Sequence, residues 1–322
     1  MHDFIEPLSH GIHAIDTGFV RARFDAAYLI VEQGRAAFVD AGLNDSVPRL
    51  LAALDALGLA RDAVDWVIPT HVHLDHAGGA GLLMAQLPAA KMAVHPRGAR
   101  HMIDPSALLD GARGVYGADE VARTYGDVRP VPAERVVATT DGMTIELAGR
   151  PLQFIDSPGH ARHHHCIWDA ASRGWFTGDT FGLSYPEFEA PKGRYLLPTT
   201  TPVQFEPEAL KQSVARMLER EPVWMYPTHY GRIGGSVEEV RRLAALLLEQ
   251  TGAMVALARP LAGAPARHEA LKSALGALYA QRLRALGSAL DDAEIAGLLA
   301  MDVELNAQGL GVWLDREARS AA

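Results

Sequence analysis

Short apolar runs alternate with amphipathic helical stretches along most of the chain. The runs AAYLIVE (26–32) and RAAFVDAG (35–42) flank a Gln-Gly turn and predict two neighbouring strands. The stretch VPRLLAALDALGL (47–59) places its leucines at helical spacing, which predicts an amphipathic helix. The next run, VDWVIPT (64–70), has the pattern of a buried strand and ends at a cluster of histidines.

Later segments continue this alternation. Five of them have the pattern of strands: KMAVHP (91–96), MTIEL (143–147), PLQFIDSP (151–158), GWFTGD (174–179) and VWMYPTH (223–229). Residues 96–135 are rich in Gly, Arg and Asp, have only weak helical patterns and are interpreted as an insertion between sheet elements. Strands that alternate with helices favour an α/β sandwich over a helical bundle or an all-β barrel.

The end of the chain has a different pattern. Residues 236–250 begin with a serine that is followed three positions later by a glutamate, which is typical of a helix start with a capping box. Beyond this helix the strand patterns stop, and the Ala/Leu-rich segments 270–287 and 291–308 predict two further helices. We therefore predict a catalytic domain at residues 1–250 and a C-terminal helical subdomain at residues 251–322.

Composition narrows the class of protein. Of the 322 residues, 48% are hydrophobic and 21% are charged, so the chain can build a large core and is not disordered as a whole. The net charge of −9 and the absence of a basic run disfavour nucleic acid as a partner. The single cysteine, Cys166, excludes an intrachain disulfide. The first residues lack a leader pattern and no apolar run is long enough to span a membrane, so we expect a cytoplasmic protein without membrane contact.

The segment THVHLDHAGG (70–79) carries the strongest chemical signal. It places three imidazoles and one carboxylate within six residues, at His71, His73, Asp75 and His76. Side chains alternate along an extended chain, so His71 and His73 point to the same side as the chain leaves the strand. Imidazole and carboxylate together suit Zn, Fe or Mn better than Ca or Mg. The alternative reading is a polar loop that is rich in histidine by chance.

Further candidate ligands follow later strands. His160 comes after the run at 151–158, Asp179 ends the run at 174–179, and His229 ends the run at 223–229. Ligands collect at the carboxyl ends of strands in open α/β sheets, although each residue taken alone is more often an ordinary hydrogen-bonded polar group. Combined with the cluster, they predict two metals about 3.5–4 Å apart, bridged by a hydroxide and a carboxylate.

The ordered motifs strand-H-x-H-x-D-H-x-G-G, PGH, GD and TH resemble the metallo-β-lactamase superfamily. The similarity runs from about Gly11 to Gly235 and is strongest to the glyoxalase II-like branch, whose members have two complete metal sites. It implies a four-layer αββα sandwich with the metals at one edge, followed in this chain by a C-terminal α-helical subdomain.

The resemblance also implies roles for individual residues. His71, His73 and His160 correspond to the ligands of the first metal; Asp75, His76 and His229 correspond to those of the second; Asp179 corresponds to the bridging carboxylate. Asp40, in FVDAG, matches an aspartate that lies behind the ligands and orients them. The alternative for Asp40 is an ordinary turn residue.

One motif departs from the family pattern. The family often has PGHTxGH where this chain has PGHARHHH (158–165). His164 keeps the histidine four residues after His160, and we place it behind the ligands. His163 and His165 have the alternatives of lining a pocket or serving the structure, and we favour the structural role. Cys166 is interpreted as a core residue.

The site predicts hydrolysis of a small ester, thioester or lactone-like molecule by a metal-bridging hydroxide. Asp75 is the candidate catalytic residue that orients the hydroxide and handles its proton. Two Zn ions are the preferred cofactors, and Fe or Mn ions are alternatives. The alternative functions are a phosphodiesterase or ribonuclease, or a di-iron oxygen-binding, redox or ligand-sensing protein.

The sequence gives weaker indications about the residues that surround the site. Tyr185, Tyr195 and Tyr230 are candidates for the walls of the substrate pocket, although packing in the core is the commoner role of such aromatic residues. The apolar helices at 270–308 either cap the core or form the interface of a homodimer.

Overall fold

The computed structural model describes residues 2–321, apart from the side chains of Tyr116 and Ala321, and it contains two large β-sheets. The first sheet has its strands in chain order: β1 (Ile5–Pro7), β2 (Ile12–Asp16), β3 (Ala26–Glu32), β4 (Arg35–Val39), β5 (Val64–Ile68), β6 (Lys91–Val94) and β7 (Val136–Ala138). The strands from β1 to β4 pair antiparallel and those from β4 to β7 pair parallel.

The second sheet is formed later in the chain, with the order β15-β14-β11-β10-β9-β8. Its strands are β8 (Thr144–Leu147), β9 (Arg150–Asp156), β10 (His165–Asp169), β11 (Gly174–Gly178), β14 (Trp224–Pro227) and β15 (Ile233–Gly234). Only β11 and β14 pair parallel in this sheet, as described for residues 2–321. A separate small hairpin consists of β12 (Glu189–Ala190) and β13 (Gly193–Arg194).

Eleven α-helices are described in residues 2–321. They are α1 (Val47–Ala56), α2 (Leu74–Ala77), α3 (Ala80–Gln86), α4 (Pro96–Ile103), α5 (Ser106–Tyr116), α6 (Ala118–Tyr125), α7 (Pro207–Leu218), α8 (Val237–Ala258), α9 (Arg267–Leu286), α10 (Asp292–Leu298) and α11 (Ala300–Ala321). Leu50 of α1 and Leu83 of α3 pack against the first sheet, and Val214 of α7 and Leu247 of α8 pack against the second. The predicted four-layer αββα sandwich is confirmed.

Strand β3 shows why the sheets pack face to face. Its side chains alternate between two apolar layers: Leu29 lies in the layer under the helices, while Tyr28 and Ile30 lie in the layer between the sheets. Burial of both faces explains why its sequence reads as a continuous apolar run. The interlayer contacts come from residues such as Phe154 of β9 and Phe176 of β11 in the second sheet.

The C-terminal helices differ in part from the prediction. The segment 291–308 forms two helices instead of one, because α10 ends before Leu299 and α11 then continues to Ala321. Ile295 of α10 and Leu310 of α11 are buried in the same apolar cluster, and a bend at the buried Leu299 brings both side chains there. None of the helices among residues 2–321 is long and apolar enough to cross a membrane.

The proposed division into domains at residues 250 and 251 falls within α8. The cluster that contains the C-terminal helices also includes Phe24 and Tyr185, which come from segments before that boundary. Helices α9 to α11 therefore share a core with the rest of the molecule, and the division into two domains stays a prediction.

Candidate metal centre

The residues predicted as ligands all follow strands. The cluster from His71 to His76 comes after β5 and extends into α2, while His160 follows β9. Asp179 and His229 come directly after β11 and just after β14. Strands from both sheets therefore deliver side chains to one edge of the sandwich, where seven imidazoles and carboxylates come together.

Three histidines form the first group of potential ligands. His71 Nε2 lies 2.7 Å from His73 Nδ1, and His160 Nε2 lies 3.3 Å from the same His73 atom. All three ligand atoms lie within 4.8 Å of one another, a spacing that can hold a metal ion. Imidazole nitrogens are the usual ligands of Zn and of other first-row transition metals.

A second group lies beside the first. His229 Nε2 is 3.4 Å from Asp75 Oδ2, and His76 Nε2 is 3.8 Å from that oxygen. These three ligand atoms also lie within 4.8 Å of one another. Asp75 has 26% of its side chain exposed, whereas the two histidines are buried.

Asp179 faces both groups. Its Oδ2 atom lies 3.3 Å from His160 Nε2, and its Oδ1 atom lies 3.4 Å from His76 Nε2. Both His76 Nε2 and Asp179 Oδ1 are buried without a hydrogen-bond partner in the described part of the chain. Buried polar atoms are normally paired. Two unpaired ligand atoms that face each other therefore fit a metal ion, and the donor set fits divalent transition metals.

The far nitrogens of the histidines are fixed by acceptors. His229 Nδ1 lies 3.0 Å from the Phe24 carbonyl oxygen, and His160 Nδ1 lies 3.3 Å from the Thr199 carbonyl oxygen. Because a carbonyl oxygen only accepts, each Nδ1 must donate its hydrogen, which leaves the lone pair of Nε2 free in a neutral imidazole. Such outer contacts orient histidine ligands in metal sites.

Asp40 organises the region behind the ligands. One carboxylate oxygen accepts hydrogen bonds from the Thr70 backbone N–H at 2.7 Å and from its hydroxyl at 3.0 Å. The other oxygen accepts from His76 Nδ1 at 2.9 Å and from the Thr228 hydroxyl at 2.7 Å. The residue is 1% exposed and adopts a left-handed φ of 60°, which aspartate tolerates better than most residues. Asp40 thus connects the ends of β4, β5 and β14.

The three consecutive histidines have different surroundings. His164 is buried beneath His71, with the ring centroids 4.8 Å apart, and its Nε2 atom accepts from the Asp179 backbone N–H at 3.3 Å. His163 lines the cavity in front of the site. His165 is buried on the opposite side, where its Nε2 atom donates to the Pro69 carbonyl oxygen at 2.9 Å. His163 belongs to the turn before β10, and this turn places it at the pocket, in contrast to the structural role favoured from the sequence.

Gly178 allows the close approach of Asp179 to its neighbours. Its φ of +47° is a conformation that side chains disfavour, and an added Cβ would lie 2.6 Å from both His164 Nε2 and Thr70 Oγ1. No larger residue fits here without displacing the groups behind the ligands. The glycine of the GD dipeptide is therefore required on steric grounds, in addition to the chemical role predicted for the aspartate.

The electrostatics differ between the two groups. Burial, reinforced by the neighbouring imidazoles, lowers the pKa of His71 well below its ordinary value and keeps the ring neutral. Burial also opposes a charge on His229, but Asp179 and Asp75 outweigh it and raise the pKa of His229 to about 9. The carboxylates thus create a negative potential that attracts cations.

A cavity of about 310 Å³ opens in front of the site. Its walls come from the insertion through α5, from the loop 199–204, and from Met301, Asp302 and Leu305 of α11. The C-terminal helices therefore border the site. This volume lies within the range of small-molecule pockets.

Only one of the three candidate tyrosines lines this cavity. Tyr185 does so, and its ring lies 6.4 Å from that of His229. Tyr195 is fully buried and packs edge-on against Phe188 among the helices. Tyr230 follows a ligand directly, but its side chain belongs to the apolar layer between the sheets. The expectation that Tyr195 and Tyr230 form pocket walls is therefore corrected, since core packing takes both side chains.

Two buried carboxyl groups near the site were missed from the sequence. Asp302 lines the cavity, and Asp25, 1% exposed, accepts a hydrogen bond from the Thr17 hydroxyl at 2.9 Å. Burial raises the pKa of Asp25 to about 7 against the effects of His229 and His76. The available signal for Asp302 was its helical spacing from the apolar Leu305 and Leu310, which places a carboxylate on the buried face of α11.

Comparison with known proteins supports the same family. The family described as "Metallo-beta-lactamase superfamily" matches residues 20–229. A metallo-beta-lactamase fold-containing protein of Sulfurisphaera tokodaii is 25% identical over 234 residues, which cover 71% of this chain and 82% of that protein. A metallo-beta-lactamase family protein from Thermus thermophilus superposes with a TM-score of 0.67 at 20% identity, covering 97% of this chain and 94% of its own.

A hydroxyacylglutathione hydrolase of Acidiphilium cryptum is 30% identical over 156 residues. The matched region covers 48% of this chain and 48% of that enzyme, so the similarity spans about half of each protein.

Proposed function

Because the chain belongs to the metallo-β-lactamase superfamily, we propose that it is a dinuclear metal-dependent hydrolase of small ester, thioester or lactone-like substrates. The observation that carries the proposal is the position of Asp179, whose two oxygens face one ligand group each. A carboxylate shared in this way is the expected bridge of a two-metal site. His71, His73 and His160 would hold one ion, and Asp75, His76 and His229 the other.

Two divalent ions at this site would supply a water deprotonated near neutral pH and would polarise a carbonyl oxygen. The protein's contribution is to fix the ligands. The Phe24 and Thr199 carbonyl oxygens and the Asp40 carboxylate hold the rings of His229, His160 and His76 in place. Ligands fixed in advance do not need to be reorganised during the reaction.

Asp75 is the proposed acid–base residue. It lines the cavity, and its Oδ2 atom lies 3.4 Å from His229 Nε2. Burial would raise the pKa of Asp75, but His76 and His229 lower it below the ordinary value, so the group is a carboxylate at neutral pH. A carboxylate there would orient the attacking water and receive its proton.

The cavity favours an acyl substrate over a phosphodiester. No Lys or Arg lines it in the part of the chain described by the structure, whereas recognition of phosphate usually uses such cations. Its walls include Leu108, Leu183 and Leu305, and two of its lining residues, Val203 and Met301, are exposed apolar side chains. An apolar acyl group matches these surroundings.

The thioester alternative has separate support. About half of this chain is similar to the hydroxyacylglutathione hydrolase of Acidiphilium cryptum, an enzyme whose name describes hydrolysis of a thioester. Assignment to a glyoxalase II-like branch is part of our proposal. We also propose Zn as the metal, with Fe and Mn as alternatives, because the same ligands suit all three.

A substrate panel tests the proposed reaction. We expect the metal-loaded protein to hydrolyse hexanoyl thioesters and p-nitrophenyl hexanoate, but to leave bis-p-nitrophenyl phosphate intact. Chelation should remove the activity, and Zn or Mn should restore it, because the catalytic water depends on the ions. Release of thiol or nitrophenol measures the rates. Turnover of the phosphodiester alone would refute the acyl assignment.

A further inference from the structure

Helix α11 brings a carboxyl group to the wall of the cavity. Asp302 is 7% exposed and lines the cavity together with its helical neighbour Leu305. The Tyr185 hydroxyl donates a hydrogen bond to Asp302 Oδ1 at 3.1 Å. Because Tyr185 also lies beside His229, the carboxyl group is connected to the surroundings of the metal centre through one side chain.

The second oxygen of this carboxyl group has no partner. Asp302 Oδ2 is buried and accepts no hydrogen bond from the residues that the structure describes. Arg21 lies over the Tyr185 ring, 4.6 Å from its centroid, and forms an ion pair with Glu187 at 3.5 Å. Asp302 has no ion-pair partner among residues 2–321. A buried carboxylate oxygen without a donor is costly, so a donor from elsewhere would be bound strongly.

The structure assigns Asp302 as a substrate-positioning residue that accepts a hydrogen bond from a hydroxyl or ammonium group of the acyl substrate. This assignment rests on the proposed hydrolase function and narrows its substrate class. The cavity provides apolar walls for the carbon chain and a buried carboxyl group on α11. Its preferred substrates are therefore hydroxyacyl or aminoacyl esters and thioesters, which should bind more tightly than plain fatty acyl compounds.

Binding of product-like acids tests the assignment without requiring turnover. The probes are hexanoate, 3-hydroxyhexanoate, 6-hydroxyhexanoate and 6-aminohexanoate, titrated calorimetrically into the metal-loaded protein. We expect the wild type to bind at least one donor-bearing acid roughly 10- to 100-fold more tightly than hexanoate, the range for a hydrogen bond to a charged group. A wild type without any such preference would overturn the assignment.

Asp302→Asn is the matched variant. Its amide oxygen can still accept from Tyr185, but its amide nitrogen takes the position of the free carboxylate oxygen and cannot accept. We expect the preference to disappear while hexanoate binding changes less than about threefold, within the range of surface effects. Asp302→Leu should give the same result by removing both oxygens. Glu304→Gln, on the same helix but paired with Lys272, should keep the preference.

Metal content and thermal unfolding of each variant show whether the fold is intact. A preference that persists in folded Asp302→Asn would overturn the assignment. Hydrolysis of thioesters of the same acids distinguishes a failure of this inference from a failure of the proposed function. Hydrolysis that is equal for all acyl groups would refute only the role of Asp302. Tight, Asp302-dependent binding without hydrolysis of any thioester would support that role and refute the hydrolase.

Discussion

Asp179→Ala is expected to lower kcat/KM for the best acyl substrate by about 1,000-fold or more, equivalent to about 4 kcal/mol of transition-state stabilisation. The reason is that Asp179 faces both ligand groups, with Oδ2 near His160 and Oδ1 near His76. Its removal would take away the proposed shared ligand and a negative charge between the two ligand groups. Steady-state kinetics with the substrate found in the panel measures the loss.

Asp110→Ala provides the matched control for this variant. Asp110 also carries a carboxylate, but it is 73% exposed on α5, and Arg113 is its ion-pair partner among the described residues. Its activity should stay within about twofold of the wild type, since exposed ion pairs contribute little. If Asp179→Ala retained more than a tenth of the wild-type kcat/KM, the bridging role of Asp179 would be wrong.

Asp40→Ala is expected to lower the free energy of unfolding by about 3–5 kcal/mol, the usual cost of removing one partner of a buried charged network. It leaves His76 Nδ1 and the hydroxyls of Thr70 and Thr228 without their acceptor. It also places alanine at a φ of 60°, which is less favourable for alanine than for aspartate. Denaturant unfolding of the metal-free protein measures the change.

The same substitution should weaken binding of metal at the His76 position by about 10- to 100-fold, because the outer partner of a ligand fixes its ring. Asp156→Ala is the comparison: Asp156 also pairs with a histidine, His95, but is half exposed at the end of β9. It should cost less than about 1 kcal/mol. An Asp40→Ala protein with wild-type stability and metal affinity would show that the network has no such role.

The layered fold could be predicted because its strands are buried on both faces. Runs such as AAYLIVE report that burial directly, and β3 occupies the predicted residues, Ala26–Glu32. The break between α10 and α11 was harder to predict, because Gly297 stands two residues before Leu299 but a single glycine inside a helical pattern does not by itself end a helix. It results from packing of Ile295 and Leu310 into one cluster, and such tertiary contacts are invisible in local periodicity.

The first four candidate ligands lie within six residues of one another, and each later candidate follows a strand. Both patterns are visible in the sequence, so these residues could be identified. The pocket was harder to predict. Tyr230 adjoins a ligand in sequence, yet its side chain packs between the sheets, since neighbouring side chains at a strand end point in different directions. Asp302 lies more than 70 residues after His229, and only the folding of α11 over the site brings it to the cavity.

Metal stoichiometry tests the central claim most directly. The protein would be purified without added metal, reconstituted with Zn or Mn, desalted and analysed by mass spectrometry alongside Asp179→Ala. We predict two equivalents of metal per chain in the wild type, as expected for two ligand groups joined by one carboxylate, and a clear decrease in the variant. A wild-type protein that binds no metal after reconstitution, while remaining folded, would contradict the account.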